Sequence, residues 1–166
     1  MSRQDELKTI PLLAGFDDQE LAAFVGAAQR RSLPADQVVF AMGQRNASLF
    51  IIRAGSVKIS RFGSAGDMPI ATLGAGETFG EMSFMDGSPT TATVTTAEAT
   101  EVLEISRQAV DELLDGNPEL GVKLWRNLAL DLKERLTRTD EVIDQYIDIS
   151  QVLLQDRKLR EYYSRL

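Results

Sequence analysis

The chain has 166 residues, of which 43% are hydrophobic and 26% charged, and its formal net charge is −7. It contains no cysteine and no histidine, which excludes disulfides, Cys/His zinc sites and catalysis by a thiolate or an imidazole. The acidic balance argues against a nucleic-acid interface, and no apolar run is long enough to cross a membrane. We therefore expect a cytoplasmic protein that binds neither nucleic acid nor membrane.

The first zone, residues 1–30, is predicted to be helical. Apolar residues between Leu7 and Ala28 recur at helical spacing. Asp17, three residues before Glu20, has the pattern of a helix N-cap. We expect short amphipathic helices here.

The second zone, residues 31–106, changes to a period of two. Short β-rich runs alternate with glycine-bounded turns, because strand reversals favour the residue that adopts positive φ most easily. Six or more such strands predict a sandwich or a jelly roll. The runs are Val38–Phe40, Leu49–Ile52, Val57–Ser60, Ile70–Leu73, Ala92–Thr95 and Val102–Ile105.

The third zone, residues 107–149, returns to helical spacing. The pair Asn117–Pro118 predicts the start of the longest helix, since asparagine caps and proline is tolerated at the first helical position. Its leucines recur every four residues over Leu120–Leu136, and we expect that stripe to pack on the strands. After a break near Ile149, residues 150–166 are predicted to form a short terminal helix or tail. Helices, strands and helices in one domain indicate an α+β fold.

The segment Thr78–Val94 is the most informative part of the chain. It reads as a strand end, a glycine turn at Gly80, one short helical turn, a loop and a second strand. That layout leaves backbone N–H groups free at a helix start, which is how proteins bind phosphates without a special side chain. Thr78 and Glu81 also fit a capping box, in which the carboxylate would only satisfy backbone N–H groups.

This segment closely resembles the phosphate-binding cassette of cyclic nucleotide-binding domains, the family of the bacterial catabolite activator protein and of the kinase regulatory subunits. The glycine turn at Gly55 and the helix start at Asn117–Pro118 follow the same pattern, so the resemblance extends from about Leu7 to about Ile149. It implies a jelly-roll β-barrel of about eight strands, flanked by N-terminal helices and a long C-terminal helix. It also implies a nucleotide pocket behind the cassette, residues 78–94, and a homodimer formed through the helix 118–147.

The resemblance further implies which residues contact the ligand. Glu81 matches the ribose-binding position, and Thr139 matches a position from which the purine base is reached. In the family an arginine before the second strand neutralises the cyclic phosphate, whereas the matching residue here is Thr90. The expected ligand-binding residues are Phe79, Gly80, Glu81, Met82, Ser83, Thr90, Thr91 and Thr139.

The missing arginine leaves two functions open. The first is a signalling module that binds cyclic AMP or cyclic GMP weakly or with altered preference, with no other cofactor expected. The second is a degenerate domain that has lost the ligand and serves as a protein-interaction or dimerisation adaptor for an unknown partner. A different cation could restore binding, and the candidates are Arg53, Lys58, Lys123 and Arg126.

Two further functions are not expected. An enzyme would depend on Glu81 and Asp86 alone, and nothing at their spacing requires an acid–base pair. In catabolite-activator-like transcription factors a helix-turn-helix domain follows the long helix, whereas only residues 146–166 remain here. We therefore expect a standalone module without a DNA-binding domain.

Overall fold

A computed structural model describes residues 3–63 and 66–155 of the chain. The helices are α1 (Arg3–Lys8), a 3₁₀ helix (Pro11–Leu13), α2 (Asp18–Ala27), α3 (Glu81–Asp86), α4 (Arg107–Gly116) and α5 (Pro118–Gln155). The strands are β1 (Gln29–Leu33), β2 (Val38–Phe40), β3 (Ser48–Ala54), β4 (Val57–Gly63), β5 (Gly66–Leu73), β6 (Thr78–Phe79), β7 (Thr93–Thr96) and β8 (Thr100–Ser106). The predicted α+β fold with about eight strands is confirmed. The chain divides into two compact units, with the boundary between Leu128 and Ala129.

The strands form two four-stranded antiparallel sheets, in the orders β1-β8-β3-β6 and β2-β7-β4-β5. Alternation along β3 supplies two separate hydrophobic clusters, because successive side chains of a strand point to opposite faces. Phe50 and Ile52 join the cluster between the sheets, whereas Leu49 and Ile51 join the cluster that faces the helices. The period of two seen in the sequence therefore has a direct structural cause.

The N-terminal part of α5 is anchored to the helices before the sheets. Leu120, Leu124 and Leu128 are each about 1% exposed in the helix-side cluster. Asn127 Nδ2 donates to the carbonyl oxygens of Leu12 and Ala14, both at 2.9 Å. These contacts confirm the predicted stripe as far as Leu128.

The same stripe does not stay buried to its predicted end. Leu136 lies in the second unit and is 63% exposed, so the expectation that the whole stripe packs on the strands is wrong there. The predicted break near Ile149 is also wrong, because α5 is continuous to Gln155. Neither glycine nor proline interrupts the helix at that point, and serine is tolerated within a helix. The remainder of the predicted tail, residues 156–166, lies outside the described residues.

The predicted helix starts are confirmed by their hydrogen bonds. Asp17 Oδ1 accepts from the N–H of Glu20 at 2.8 Å, and Glu20 Oε2 accepts from the N–H of Asp17 at 2.8 Å. Asn117 Oδ1 accepts from the N–H of Leu120 at 3.1 Å.

Among the described helices none is long and apolar enough to span a membrane. The domain boundaries given for the sequence stay predictions.

Candidate functional site

The cassette is organised around the left-handed turn at Gly80. Gly80 has φ 82° and ψ 1° and is the N-cap of α3. A Cβ atom at this position would lie 2.8 Å from Ser48 O and 2.9 Å from Asn46 Nδ2. Glycine is therefore required twice, by the backbone conformation and by the lack of space. Both atoms that leave no space for a side chain at residue 80 belong to this chain, so the fold alone requires glycine there.

The start of α3 corrects one of the two interpretations of Glu81. Because the helix begins at Glu81 after the Gly80 N-cap, Glu81 is its first residue and not the third. Thr78 lies in β6, so a capping box with Thr78 as its N-cap does not form. Glu81 is 7% exposed. It is the first residue of the turn in which the backbone N–H groups of Glu81, Met82 and Ser83 have no partner inside the helix.

Arg107 secures the opposite end of α3. Its Nη1 donates to the carbonyl oxygens of Phe84 at 2.9 Å and Met85 at 2.8 Å, while its Nε contacts Asp111 Oδ1 at 3.0 Å. The guanidinium also lies over the rings of Phe84 and Trp125, at 5.6 Å and 5.4 Å from their centroids. A cation at the carbonyl end of a helix is favourable. The charge of Arg107 is thus used within the fold, and no local pattern in the sequence predicts this role.

Thr90, the residue that the resemblance matches to an arginine, is 5% exposed and hydrogen-bonded at every polar atom. Its Oγ1 donates to Ala41 O at 2.6 Å and accepts from the N–H of Gln44 at 3.1 Å. Its backbone N–H donates to Gln44 O at 2.8 Å, and its carbonyl accepts from Gly43 at 2.7 Å. The hydroxyl therefore joins the cassette loop to the turn of residues 41–44 and brings no positive charge.

The other predicted ligand-binding residues differ in accessibility. Phe79 is 1% exposed and its ring stacks on Phe50 at a centroid separation of 4.7 Å, so its side chain belongs to the core. Ser83 is 3% exposed, whereas Met82 is 49% exposed. Thr91 is exposed, and its hydroxyl lies 3.8 Å from Met82 Sδ.

Thr139 belongs to the second unit. Its hydroxyl donates to Arg135 O at 3.0 Å within α5. Roles in ligand binding for Thr139 and for the seven cassette residues stay predictions.

Two residues that sequence reasoning missed lie beside the cassette. Asn46 Nδ2 donates to Ser48 O at 2.7 Å and lies 3.5 Å from Gly80 O, and its Oδ1 accepts from the N–H of Ser48 at 3.2 Å. Arg45 forms an isolated antiparallel bridge with Pro89. The local bond between Asn46 and Ser48 is an Asx-type turn that the residue type alone could have suggested. The Arg45 bridge joins distant parts of the chain and leaves no local pattern.

The two charged residues within the cassette, Glu81 and Asp86, are both acidic. Hydrogen bonds from the Ser88 side chain and from its backbone N–H hold the pKa of the exposed Asp86 below its ordinary value. Asp86 therefore remains ionised at neutral pH. With Glu81 close by in the same helix, a bound anion would need a compensating cation.

Two of the four cations proposed as substitutes are paired elsewhere. Arg53 Nη2 lies 3.5 Å from Glu6 Oε2, and Lys123 Nζ lies 2.7 Å from Glu20 Oε2. Lys58, in the middle of β4, pairs with Thr95 and Thr72 in the strand register and is exposed, as is Arg126 on α5. Across the described residues, no cluster of three or more potential ligands could hold a metal ion.

A left-handed glycine turn, a six-residue helix and a following strand thus lie together on a roll of two antiparallel sheets. The family model of the cyclic nucleotide-binding domain matches residues 30–117. The chain belongs to the cyclic nucleotide-binding domain family.

The relatives of this chain include a receptor and part of an enzyme. It is 31% identical over 139 residues to the cyclic AMP receptor protein of Thermus thermophilus, covering 83% of this chain and 62% of that protein. It is 33% identical over 134 residues to Glutaminase 2 of Bradyrhizobium diazoefficiens, covering 80% of this chain and 21% of that protein. The chain thus spans less than two thirds of the length of either relative.

A solved structure supports the same fold. The cyclic nucleotide-binding domain from Methylobacillus flagellatus is 28% identical to this chain and superimposes with a TM-score of 0.78. That alignment covers 85% of this chain and 80% of the other.

Proposed function

We propose that this chain is a regulatory module that binds a cyclic nucleotide, cyclic AMP or cyclic GMP, weakly or with altered preference. The observation that carries the proposal is a cassette that has the glycine turn and short helix expected for phosphate binding but has Thr90 where the family has an arginine. Gly80 forms the left-handed turn and α3 follows it, which leaves N–H groups for a phosphate, while the buried Thr90 offers no charge. A cyclic AMP receptor protein among its relatives supports this ligand class.

The missing charge sets the expected strength of binding. Loss of one partner from a buried, hydrogen-bonded charge pair costs about 2–5 kcal/mol, which corresponds to roughly 30-fold to several-thousand-fold in affinity. The Thr90 hydroxyl already donates to Ala41 O and accepts from Gln44 N–H. A phosphate oxygen would have to displace one of these bonds. We therefore expect dissociation constants from tens of micromolar to millimolar, where a domain with the arginine would bind in the micromolar range.

The experiment that tests this proposal restores the arginine. Thr90→Arg should tighten binding of cyclic AMP or cyclic GMP by about 30-fold or more, measured by isothermal titration calorimetry. Thr91→Arg is the matched control, because it adds the same charge at the neighbouring exposed position. Equal gains in both variants would point to a general effect of net charge.

The wild-type chain itself gives the second measurement. A ligand at 100 times its dissociation constant stabilises the folded state by about 2.7 kcal/mol, and a ligand at its dissociation constant by about 0.4 kcal/mol. Millimolar cyclic AMP or cyclic GMP should therefore raise the melting temperature by an amount that increases with affinity. No stabilisation of the wild type and no binding by Thr90→Arg would together sink the proposal.

The second candidate is an adaptor that has lost the ligand. It is favoured by the complete hydrogen bonding of Thr90 within the fold and by apolar side chains that α5 exposes, Leu136 and Ile143. In this case the module would work as a homodimer or with a protein partner.

In neither case do we propose an enzymatic activity. Because the chain contains no cysteine, we propose a cytoplasmic location.

A further inference from the structure

We propose that Arg45 supplies the positive charge that holds an anionic ligand at this cassette, in place of the arginine whose position Thr90 occupies. This inference rests on the proposed function and names the residue that makes weak binding feasible. Arg45 lies just before β3 and opposite Pro89 of the cassette loop. Its placement follows from backbone contacts on two sides.

The first set of contacts ties the Arg45 backbone to the cassette loop. Arg45 and Pro89 form an antiparallel bridge, which sets directly opposite Cα atoms about 4.5–5.5 Å apart. The adjoining residues are joined as well, since the N–H of Thr90 donates to Gln44 O at 2.8 Å and the N–H of Gly43 donates to Thr90 O at 2.7 Å. Arg45 is therefore held next to the residue that replaces the arginine.

The second set of contacts ties the following residue to the start of α3. Asn46 Nδ2 lies 3.5 Å from Gly80 O, the carbonyl of the N-cap, and is held there by its bond to Ser48 O at 2.7 Å. Arg45 therefore precedes Asn46, which contacts the N-cap Gly80, and lies opposite Pro89 of the cassette loop. A side chain as long as arginine, starting from this point, can approach an anion at the N–H groups that follow Gly80.

Several of the other cations are already held in ion pairs. Arg31 pairs with Glu104 at 2.6 Å, and Arg53, Lys123 and Arg107 have the partners given above. Arg45 is exposed and forms no ion pair with any residue that the structure describes. Its guanidinium is thus available to an oxyanion without first breaking an ion pair.

Arginine is chemically suited to this role. Its planar fork binds two oxygens of a phosphate at once, and such charge-assisted bonds are stronger than neutral ones. The site would take a phosphodiester such as that of a cyclic nucleotide. Because Arg45 is exposed, its attraction is screened by solvent and salt, in agreement with the weak binding proposed for this cassette.

The test compares two variants with the same change in net charge. The full chain is titrated with cyclic AMP and with cyclic GMP by isothermal titration calorimetry, as wild type, Arg45→Gln and Arg30→Gln. Arg30 is also exposed, but it lies in β1, opposite Leu103 of β8. We expect Arg45→Gln to weaken binding by about 10-fold to 100-fold, as for loss of a hydrogen bond to a charged group, and Arg30→Gln to stay within about twofold of wild type.

Ionic strength gives an independent readout. Wild-type affinity should fall as salt is added, and Arg45→Gln should lose most of that dependence, because screening acts on the charge that has been removed. Both variants alter exposed side chains that make no ion pair with described residues. We therefore expect melting temperatures close to that of wild type.

Three outcomes would overturn the inference, and they are distinguishable. If wild type binds and Arg45→Gln binds equally well, Arg45 has no role and the proposed function stands. If both variants weaken binding to the same extent, the effect is one of net charge and Arg45 is not the specific contact. If wild type and Thr90→Arg release no heat with either nucleotide at millimolar concentration, the proposed function fails and the role of Arg45 fails with it.

Discussion

Gly80 and Thr90 show how single residues of the cassette serve the fold before any ligand is considered. Gly80 adopts a left-handed conformation in a space closed by Ser48 O and Asn46 Nδ2. Thr90 uses its hydroxyl as donor and acceptor to hold the turn of residues 41–44. A substitution in either residue therefore alters stability as well as binding, and the two effects must be measured separately.

Gly80→Ala is predicted to destabilise the protein strongly. An alanine there would pay for the left-handed conformation, about 1–2 kcal/mol, and would also have to move the carbonyl of Ser48 or the amide of Asn46. Overpacking of this kind costs about 1–3 kcal/mol more. Urea unfolding should therefore show a total loss of about 2–5 kcal/mol.

Gly87→Ala is the matched control for that measurement. Gly87 ends the same helix with φ 72°, and a Cβ atom there would meet nothing within 4 Å. Its cost should be limited to about 1–2 kcal/mol from the backbone conformation. Equal losses in the two variants would show that the space around Gly80 relaxes freely and that the close contacts are unimportant.

At the scale of elements, the beginning of α5 is joined to α2 by an ion pair with one buried partner. Lys123 Nζ contacts both carboxylate oxygens of Glu20, at 2.9 Å and 2.7 Å, and Glu20 is 5% exposed. The hydrogen bond to Glu20 raises the pKa of Lys123 above its ordinary value. Glu20 also accepts from the N–H of Asp17, so this one carboxylate serves both the N-cap of α2 and the junction with α5.

This ion pair predicts a specific pH dependence of stability. Because the folded pKa of Lys123 lies above the unfolded value of about 10.4, its stabilisation is complete below that pH and is lost as pH rises through the folded pKa. Lys123→Arg stays charged throughout this range. Urea unfolding from about pH 9 to 12 should show wild type losing stability relative to Lys123→Arg only at the alkaline end.

Other lysines and the tyrosines titrate in both proteins, so their effects cancel in that comparison. Parallel curves for wild type and Lys123→Arg across the alkaline range would contradict the prediction. Such a result would mean that the contact between Lys123 and Glu20 adds no proton-linked stability.

The sequence revealed the elements more completely than their tertiary contacts. The period of two, the glycine turns and the pair Asn117–Pro118 predicted strands and helix starts, because each depends on neighbouring residues. β1 is absent from the predicted strands, and residues 29 and 30 fall in the predicted helical zone, because Gln29–Leu33 is mostly polar and lies at a sheet edge. Arg45 and Arg107 were missed because their partners, Pro89 and the carbonyl groups of α3, lie far away in the chain.

Within the candidate site the same distinction holds. Local pattern located Gly80 and the short helix after it, and the absence of arginine at Thr90 could be read directly. Local pattern could not show that the Thr90 hydroxyl is already bonded to Ala41 and Gln44, which determines what the substitution costs a ligand. The sequence was likewise compatible with two roles of Glu81, in a capping box or in a ribose contact. The start of α3 at Glu81 excludes the capping box with Thr78.

At the scale of the whole molecule, the second unit presents an apolar row that a single chain leaves exposed. Ala129, Leu136 and Ile143 follow one another at intervals of seven, with Leu132 and Thr139 at the positions between them. Leu136 is 63% exposed and Ile143 is 49% exposed. This is the spacing of a coiled-coil seam, and we propose that α5 pairs with the same helix of a second copy.

Leu136→Glu is predicted to convert the dimer to a monomer. The substitution places a charge in the centre of the proposed seam, where burial without a partner is costly, yet it should leave the monomer folded because Leu136 is exposed there. Leu130→Glu is the matched control, since Leu130 is 50% exposed on the same helix and lies outside the row. Light scattering after size exclusion should report a dimer for wild type and Leu130→Glu, and a monomer for Leu136→Glu. A monomeric wild type, or equal disruption by both substitutions, would refute pairing through this row and would leave α5 to a partner of different sequence.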